Sequence, residues 1–257
     1  MSPRSTPHPT TLLPALRTHV WFASCPEALQ EALVERARVV TLRAGDPLFK
    51  RGDPNDGLCC VLAGALKVGS THPRDGTMRL TLYVEPYHWF GEIALIDRQP
   101  RSLHAIADMD SMVLMVPRPL IEAWLDEHPA CWRDIARLAC GKVRLMLTAM
   151  EDNATLPLHQ VLARRLLFFS TGFGQSTQTE PRRRLRLPQE YLASMLGVSR
   201  QTVNKALRAL EREQVVALHY AEIEILDLPG LVQRAGQIDP GLHPRPLPAA
   251  PPAEPAG

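Results

Sequence analysis

Three long polar side chains, Arg200, Gln201 and Lys205, follow Ser199, whose hydroxyl can cap the first turn of a helix. The residues that recur behind them at three-and-four spacing are Val203, Ala206, Leu207 and Leu210. This periodicity predicts a helix that buries its apolar side and turns the polar residues outward together. Arginine can fork onto guanine and glutamine onto adenine in the major groove, so the chemistry open to this face is base readout of duplex DNA.

The segment 187–227 has the order of a winged helix-turn-helix. A short apolar pattern at Leu192 and Leu196 leads to a turn at Gly197, the helix after Ser199 follows, and two β-rich runs, 215–218 and 222–226, complete a predicted hairpin.

The charge of this region separates it from the rest of the chain. Eight basic and two acidic residues lie between Arg182 and Arg212, a net charge of +6, whereas the whole chain carries only +2. A solvated surface helix is the alternative interpretation. A basic segment in a nearly neutral chain favours phosphate contacts, and we expect affinity for DNA to fall steeply with salt.

The run Gly197-Val198-Ser199-Arg200-Gln201-Thr202-Val203-Asn204-Lys205 resembles the recognition-helix motif of the Crp/Fnr transcription regulators, and the Ala-Leu-Arg-Ala-Leu-Glu that follows continues the resemblance. The DNA-binding set that we expect on this basis is Ser199, Arg200, Gln201, Thr202, Asn204, Lys205 and Arg208. The resemblance implies that Arg200, Gln201 and Lys205 face base edges, and that Thr202 and Arg208 contact phosphates. Several relatives have Glu where Gln201 stands, and often glycine where Gln214 and Ala221 stand.

A second constellation lies in the first half of the chain. Gly91, Glu92 and Ile93 are followed by Arg101 and Ser102, in a pattern similar to the phosphate-binding cassette of cyclic-nucleotide-binding domains. This resemblance implies that Arg101 neutralises a cyclic phosphate and that Glu92 accepts from a ribose hydroxyl. Gly91 lets the backbone approach the ligand, the turn from Ile93 directs amides at it, and Ser102 adds a donor.

The identity of an effector stays open. Glu92 and Arg101 could instead pair with each other and hold the loop. Leu103 stands where cyclic-nucleotide binders usually have a small residue, and Met146 and Leu147 stand where the family reads adenine with polar side chains. The alternatives are cyclic AMP, another nucleotide such as cyclic di-GMP, an unrelated effector and no effector.

Metal and redox chemistry has little support in the sequence. Haem needs an axial ligand, and His72, His88 and His104 are candidates only in principle. The five cysteines are scattered, which fits reduced thiols, and Cys59 and Cys60 point to opposite faces of a predicted strand, so they cannot readily grip one ion. We therefore expect no metal.

The fold expected from these elements is α+β: an N-terminal β-barrel or jelly roll of the cyclic-nucleotide-binding type, a long dimerisation helix and a C-terminal winged helix-turn-helix. The predicted strands of the barrel are 48–49, 58–62, 65–68, 78–84 and 111–116. The predicted domains are a disordered segment 1–20, a sensor domain 21–128, a dimerisation helix and hinge 129–156, a DNA-binding domain 157–235 and a proline-rich disordered tail 236–257.

The long helix carries two apolar stripes, more than one domain face requires, so we expect a homodimer. The residues assigned to the dimer interface are Leu138, Val143, Met146 and Met150. Pro157 interrupts the helical pattern, and we place a hinge at 153–158, with Asn153 and Thr155 able to cap the helix that follows.

The sequence thus predicts a homodimeric transcription regulator that binds a near-palindromic site on double-stranded DNA and is controlled by an effector in the barrel. RNA polymerase is the expected further partner of an activator. No export signal and no apolar run of membrane-spanning length is present, so we expect a cytoplasmic protein, and no catalytic set indicates an enzyme. The alternatives are a ligand-independent regulator, a redox-responsive regulator and a ligand-binding module without DNA activity.

Overall fold

A computed structural model describes residues 9–72, 76, 78–172, 181–220 and 222–236. The predicted disordered ends therefore lie outside the described residues at 1–8 and 237–257, and so does Ala221 in the predicted hairpin turn. The chain divides into two compact units, Met1–Lys142 and Val143–Gly257, and the division falls inside the long helix.

The first unit is a β-structure with helices at both ends of its sequence. Its helices are α1 (Leu13–Leu16), α2 (Val20–Ser24), α3 (Glu27–Glu35), α4 (Glu92–Asp97), α5 (Arg118–Glu127) and the first part of α6 (Trp132–Thr155). Its strands are β1 (Arg38–Leu42), β2 (Pro47–Phe49), β3 (Gly57–Ala63), β4 (Leu66–Thr71), β5 (Met78–Val84), β6 (Trp89–Phe90), β7 (His104–Ala107) and β8 (Ser111–Pro117).

Two four-stranded antiparallel sheets, ordered β1-β8-β3-β6 and β2-β7-β4-β5, form this barrel. All eight strands contribute to an apolar interior, which includes Phe49, Cys59, Phe90 and Met115. Because side chains alternate along a strand, Cys60 points away from this interior and joins a second cluster formed with the helices. The predicted opposition of the two neighbouring cysteines is therefore confirmed.

The second cluster explains a difference from the sequence analysis. Residues 9–20 were expected to be disordered, but they form a 3₁₀ turn and α1, and Leu16 is fully buried. Phe22 stacks on Trp89 with ring centroids 5.2 Å apart, and Leu29 and Leu33 of α3 complete the packing. The segment is ordered because its few apolar side chains cover a face of the barrel that would otherwise remain in water.

The second unit contains the helix-turn-helix. Its elements after the last part of α6 are α7 (Leu158–Ser170), β9 (Arg184–Leu185), α8 (Gln189–Leu196), α9 (Arg200–Arg212), β10 (Val216–His219), β11 (Glu222–Ile225) and α10 (Leu228–Ala235). The strands form one sheet of order β10-β11-β9. The α+β fold is as predicted, although the short strands β1, β6, β7 and β9 were missed. No helix in the described ranges is long and apolar enough to cross a bilayer.

The long helix α6 corrects one predicted interface residue. Leu138 is only 4% exposed and packs in the same cluster as Ile135, so it cannot meet a partner subunit. In contrast, Val143, Met146 and Met150 are between 52% and 68% exposed. The stripe that faces the barrel therefore ends near Leu138, and the exposed face begins one turn later.

The joint between α6 and α7 holds a buried ion cluster. Asp152, which is 3% exposed, pairs with Arg164, and its second oxygen lies 3.6 Å from Arg165. Burial lowers the pKa of the Arg165 guanidinium, and the Asp152 carboxylate opposes that shift. Asn153 and Thr155 do not cap α7, because Asn153 accepts from Arg165 and the Thr155 hydroxyl donates back to Glu151.

Candidate nucleic-acid interface and effector cassette

The helix α9 begins as its sequence predicts. The hydroxyl of Ser199 accepts from the Thr202 amide at 3.1 Å and satisfies one free donor of the first turn. Gly197 ends α8 with a φ of 66°, a left-handed conformation that glycine adopts without strain. Val203 and Leu207 are fully buried beneath α9 and fix which side of the helix faces water.

The outer face of α9 presents most of the predicted set to solvent. Arg200, Gln201, Thr202, Lys205 and Arg208 are exposed. Within the described residues, Arg200, Gln201 and Lys205 make no side-chain hydrogen bond or ion pair. Two cations and an amide at the start of a helix are therefore free to bind an external anion or a base edge.

The other four residues of the predicted set have internal partners. The Asn204 amide is half-buried and donates to Gln189 of α8 at 2.8 Å, which joins the two helices. Ser199 is occupied by its capping bond, and it also shares a hydrogen bond with the Thr202 hydroxyl. Arg208 pairs with Glu211 one turn later. These residues therefore stabilise the structure of the exposed face of α9. Their side chains are less available to a ligand than those of Arg200, Gln201 and Lys205.

The hairpin of β10 and β11, which is the wing of the winged helix-turn-helix, is attached to α9 through Glu211. Its carboxylate accepts from the backbone amide of Leu218 in β10 at 3.1 Å. The hydrogen bond from Arg208 and then that from Leu218 lower the pKa of Glu211. Between α9 and the wing, Gln214 adopts a φ of 57°, a left-handed conformation that is uncommon for residues other than glycine.

The basic run 182–186 is only partly available to a ligand. Arg182 donates to the Phe169 carbonyl at 2.6 Å, Arg183 donates to the Leu226 carbonyl, and Arg184 pairs with Glu224. Arg186 is exposed and has no such partner among the described residues. The formal charge of +6 therefore overstates the number of free cations on this surface.

In the first unit, the predicted cassette residues come together around Gly91. Gly91 has a φ of 99° and precedes α4. A Cβ atom at this position would lie 2.7 Å from Nη1 of Arg101 and 2.8 Å from the Gly57 carbonyl oxygen. Glycine is required here both for its conformation and for the close approach of Arg101.

Arg101 is 3% exposed and its guanidinium is held on several sides. It pairs with Asp56, donates to the Gly57 carbonyl at 2.7 Å, and lies 4.2 Å from the centre of the Phe49 ring. Burial raises the pKa of the neighbouring Cys59 thiol to about 12, and Arg101 opposes that effect. A cation this well positioned is suited to binding one anionic group.

Glu92 does not pair with Arg101, so that alternative is wrong. Glu92 is buried, with 1% of the residue exposed, and its carboxylate accepts from Nζ of Lys142 on α6 at 2.7 Å. Sequence reasoning missed Lys142, which lies fifty positions away, and gave Asp56 no role beyond a turn. Nothing in the sequence around Lys142 indicates that it is a partner of Glu92. In contrast, the acidic turn before β3 could be recognised in the sequence as a source of a negative charge for Arg101.

The remaining cassette residues occupy its edge. Ser102 and Ile93 are exposed, and Ile93 reaches 55% exposure. Leu103, which stands where a small residue is usual, packs against the barrel interior. In α6, Met146 and Leu147 are exposed, and the Thr148 hydroxyl donates to the Arg144 carbonyl at 3.0 Å.

The donor set of the cassette fits a cyclic nucleotide in chemistry. Arg101 offers a fixed positive charge, Glu92 an acceptor for a hydroxyl, and Gly91 an approach without a side chain. Asp56 forms an ion pair with Arg101, and Lys142 forms an ion pair with Glu92. A cyclic nucleotide at this position would therefore exchange internal ion pairs for its own contacts.

Potential metal ligands do not lie close together in the part of the chain that the structure describes. The described residues contain no group of three or more histidines, cysteines, aspartates or glutamates arranged to hold a metal ion. His104 accepts from the Arg51 amide at 3.2 Å, and the His88 ring packs edge-on against His19. Four of the five cysteines are buried, and Cys140 is exposed.

Comparison with known proteins identifies both units. A family model of the cyclic nucleotide-binding domain matches residues 39–128, and a model of the Crp-like helix-turn-helix domain matches residues 160–234. Together these matches cover more than half of the 257 residues.

Relatives along most of the chain are transcription regulators. The CRP-like cAMP-activated global transcriptional regulator of Mycobacterium tuberculosis is 27% identical over 204 residues, which cover 79% of this chain and 91% of that protein. The cyclic AMP receptor protein of Thermus thermophilus is 28% identical over 186 residues, which cover 70% of this chain and 80% of that protein.

A solved structure agrees with these relatives. The structure of a CRP-family transcriptional regulator of Thermus thermophilus is 25% identical, with a TM-score of 0.59 over 77% of this chain and 97% of that one. Since the two family models together match more than half of the chain and the relatives are regulators of the same kind, this chain belongs to the Crp/Fnr family of DNA-binding transcription regulators and carries a cyclic-nucleotide-binding domain.

Proposed function

We propose that the protein binds duplex DNA as a homodimer through the first turns of α9, and that a cyclic nucleotide in the cassette controls this binding. The observation that carries the proposal is the exposure of Arg200, Gln201 and Lys205 without internal partners among the described residues. Two cations and an amide at a helix start match the geometry of major-groove readout.

The homodimer is supported by the exposed face of α6. Val143, Met146, Leu147 and Met150 are more than half exposed, although all four are apolar. A second copy of the same helix would cover this face in a two-fold arrangement. Two recognition helices related by such an axis would read a near-palindromic site, and an activator would then contact RNA polymerase.

Control by a cyclic nucleotide is supported by the fit of the cassette. Arg101 would bind the cyclic phosphate and Glu92 would accept from the ribose, with Gly91 between them. Cyclic AMP is the first candidate, because it stands in the names of two relatives. An effector acts on DNA binding only through a difference in its affinity for the two dimer arrangements.

The test is retention of specific promoter DNA by purified protein, with and without cyclic AMP. We expect the double variant R200A/K205A to lose specific retention, while the control K50A/R133A, which removes two exposed cations of the first unit, keeps it. Unchanged retention by R200A/K205A would place the DNA contacts outside α9, and no retention by the wild type would favour a ligand-binding module without DNA activity. Equal retention with and without cyclic AMP, cyclic GMP and cyclic di-GMP would favour a ligand-independent regulator.

A further inference from the structure

The ion pair between Glu92 and Lys142 is a polar contact that joins the cassette to α6. Nζ of Lys142 lies 2.7 Å from Oε2 of Glu92. No other side-chain partner of Glu92 occurs among the residues that the structure describes. Since Lys142 belongs to α6 and Glu92 begins α4, this contact links the ligand-binding loop to the long helix.

The two side chains of the pair differ in exposure. The Glu92 side chain is 2% exposed, whereas that of Lys142 is 27% exposed. The carboxylate is therefore enclosed by protein, and Lys142 is the member of the pair that solvent reaches. A ligand hydroxyl that binds Glu92 would have to share or replace this partner.

We propose that Lys142 and the ribose 2′-hydroxyl of a cyclic nucleotide compete for the carboxylate of Glu92, so that a ribose-containing effector releases α6 from the cassette. This inference rests on the proposed binding of a cyclic nucleotide and specifies how that site is regulated. Lys142 is a positioning residue: it acts through Glu92 and not on the nucleotide itself.

The exchange has a simple energetic basis. A buried carboxylate without a partner is costly, so Glu92 holds Lys142 in the absence of ligand. A hydroxyl donor supplies part of the lost stabilisation and leaves the ammonium free to move into water. By reciprocity, any change that already frees Lys142 increases the affinity for a nucleotide that carries the hydroxyl.

The test compares the affinities of cyclic AMP and 2′-deoxy cyclic AMP by calorimetry on the full-length protein. The wild type is expected to distinguish the two nucleotides weakly. In K142M the preference for the ribose form should increase about tenfold, the size expected for one hydrogen bond to a charged acceptor. Loss of a nearby cation by itself would change both affinities equally, so the ratio isolates the competition.

Three further variants complete the design. K142R keeps the cation and should keep the wild-type ratio. R144M removes an exposed cation of the same helix and should also keep it. In E92Q the acceptor charge is gone, so adding K142M should leave the ratio unchanged. If K142M folds poorly, K142Q takes its place: its amide can still donate to Glu92 but carries no charge, so the preference for the ribose form should increase in the same direction.

The outcomes separate the inference from the proposed function. An unchanged ratio in K142M, with cyclic AMP still bound, overturns the competition and leaves the effector proposal standing. A change of ratio of the same size in R144M also overturns it. Absence of binding by wild type and K142M to both nucleotides, and to cyclic GMP and cyclic di-GMP, overturns the effector proposal and the inference together.

Discussion

Asp56 and Arg101 form an ion pair in which the guanidinium side chain is 3% exposed and the carboxylate side chain 40% exposed. The acid therefore lies on the outer side of the buried cation. A cyclic phosphate that binds Arg101 would have to share the guanidinium with this acid, so Asp56 and the ligand are expected to compete for one positive charge.

Removing the Asp56 charge should strengthen nucleotide binding. We expect D56N to bind cyclic AMP about tenfold more tightly, which corresponds to about 1.4 kcal/mol. The same change should lower the free energy of unfolding by about 1–3 kcal/mol, because Arg101 loses a charged partner. Calorimetry and urea denaturation measure the two effects. D126N, which removes an exposed charge of α5, serves as the control, and weaker binding by D56N would show that Asp56 supports the ligand.

The salt dependence of DNA binding should identify which cations of α9 contact phosphates. Lys205 has no internal partner among the described residues, so K205A is expected to reduce the slope of log K against log salt by about 0.9 per subunit, or about 1.8 for the dimer, if the lysine contacts a phosphate. Arg208 is already paired with Glu211, and R208A should change the slope less. Fluorescence anisotropy at increasing salt gives both slopes. A larger effect of R208A would mean that Arg208 leaves Glu211 in the complex.

The stability of the first unit should decrease in mild acid because of His19. Burial lowers the pKa of His19 well below 6.5, and His88 and Lys142 add to the shift. Below pH 6.5 the unfolded chain binds a proton at His19 that the folded chain does not, so the free energy of unfolding falls, by at most about 1.4 kcal/mol per pH unit.

Tryptophan fluorescence can measure this effect, because all four tryptophans lie in the first unit. In H19F the decrease between pH 6.5 and 5 should be smaller than in the wild type. H159Q removes an exposed histidine of α7 and should leave the curve unchanged. Identical curves for H19F and wild type would assign the acid sensitivity to other groups.

A charge on the exposed face of α6 should dissociate the dimer. We expect M146E to sediment as a monomer at concentrations where the wild type is a dimer, because two buried glutamates would face each other across the axis. L120E replaces an equally exposed apolar residue of α5 and should remain dimeric. A dimeric M146E would place the interface elsewhere.

The sequence predicted best what depends on neighbouring residues. The cap at Ser199, the turn at Gly197 and the buried stripe under α9 are local, and each is found where the pattern places it. Gly91 of the cassette could be predicted equally well from the sequence, because the turn requires the left-handed conformation that glycine adopts. In these regions, short-range propensity and the tertiary structure agree.

Contacts between distant residues were beyond the sequence. Asp56 and Lys142 meet the cassette only after the barrel closes, and no spacing rule connects them to Arg101 and Glu92. Leu138 shares the helical periodicity of Met146, and only the docking of α6 on the barrel decides which of the two is buried. The short N-terminal helices likewise depend on a surface that the rest of the first unit provides.

The buried carboxylate of Asp152 has a consequence for how a signal could travel along α6. Any bend near Pro157 that separated it from Arg164 and Arg165 would leave an isolated buried charge, at a cost of about 3–5 kcal/mol. The joint between α6 and α7 is therefore expected to be stiff. A displacement at this end of α6 would then move α7 with it as one body, instead of being absorbed at the proline.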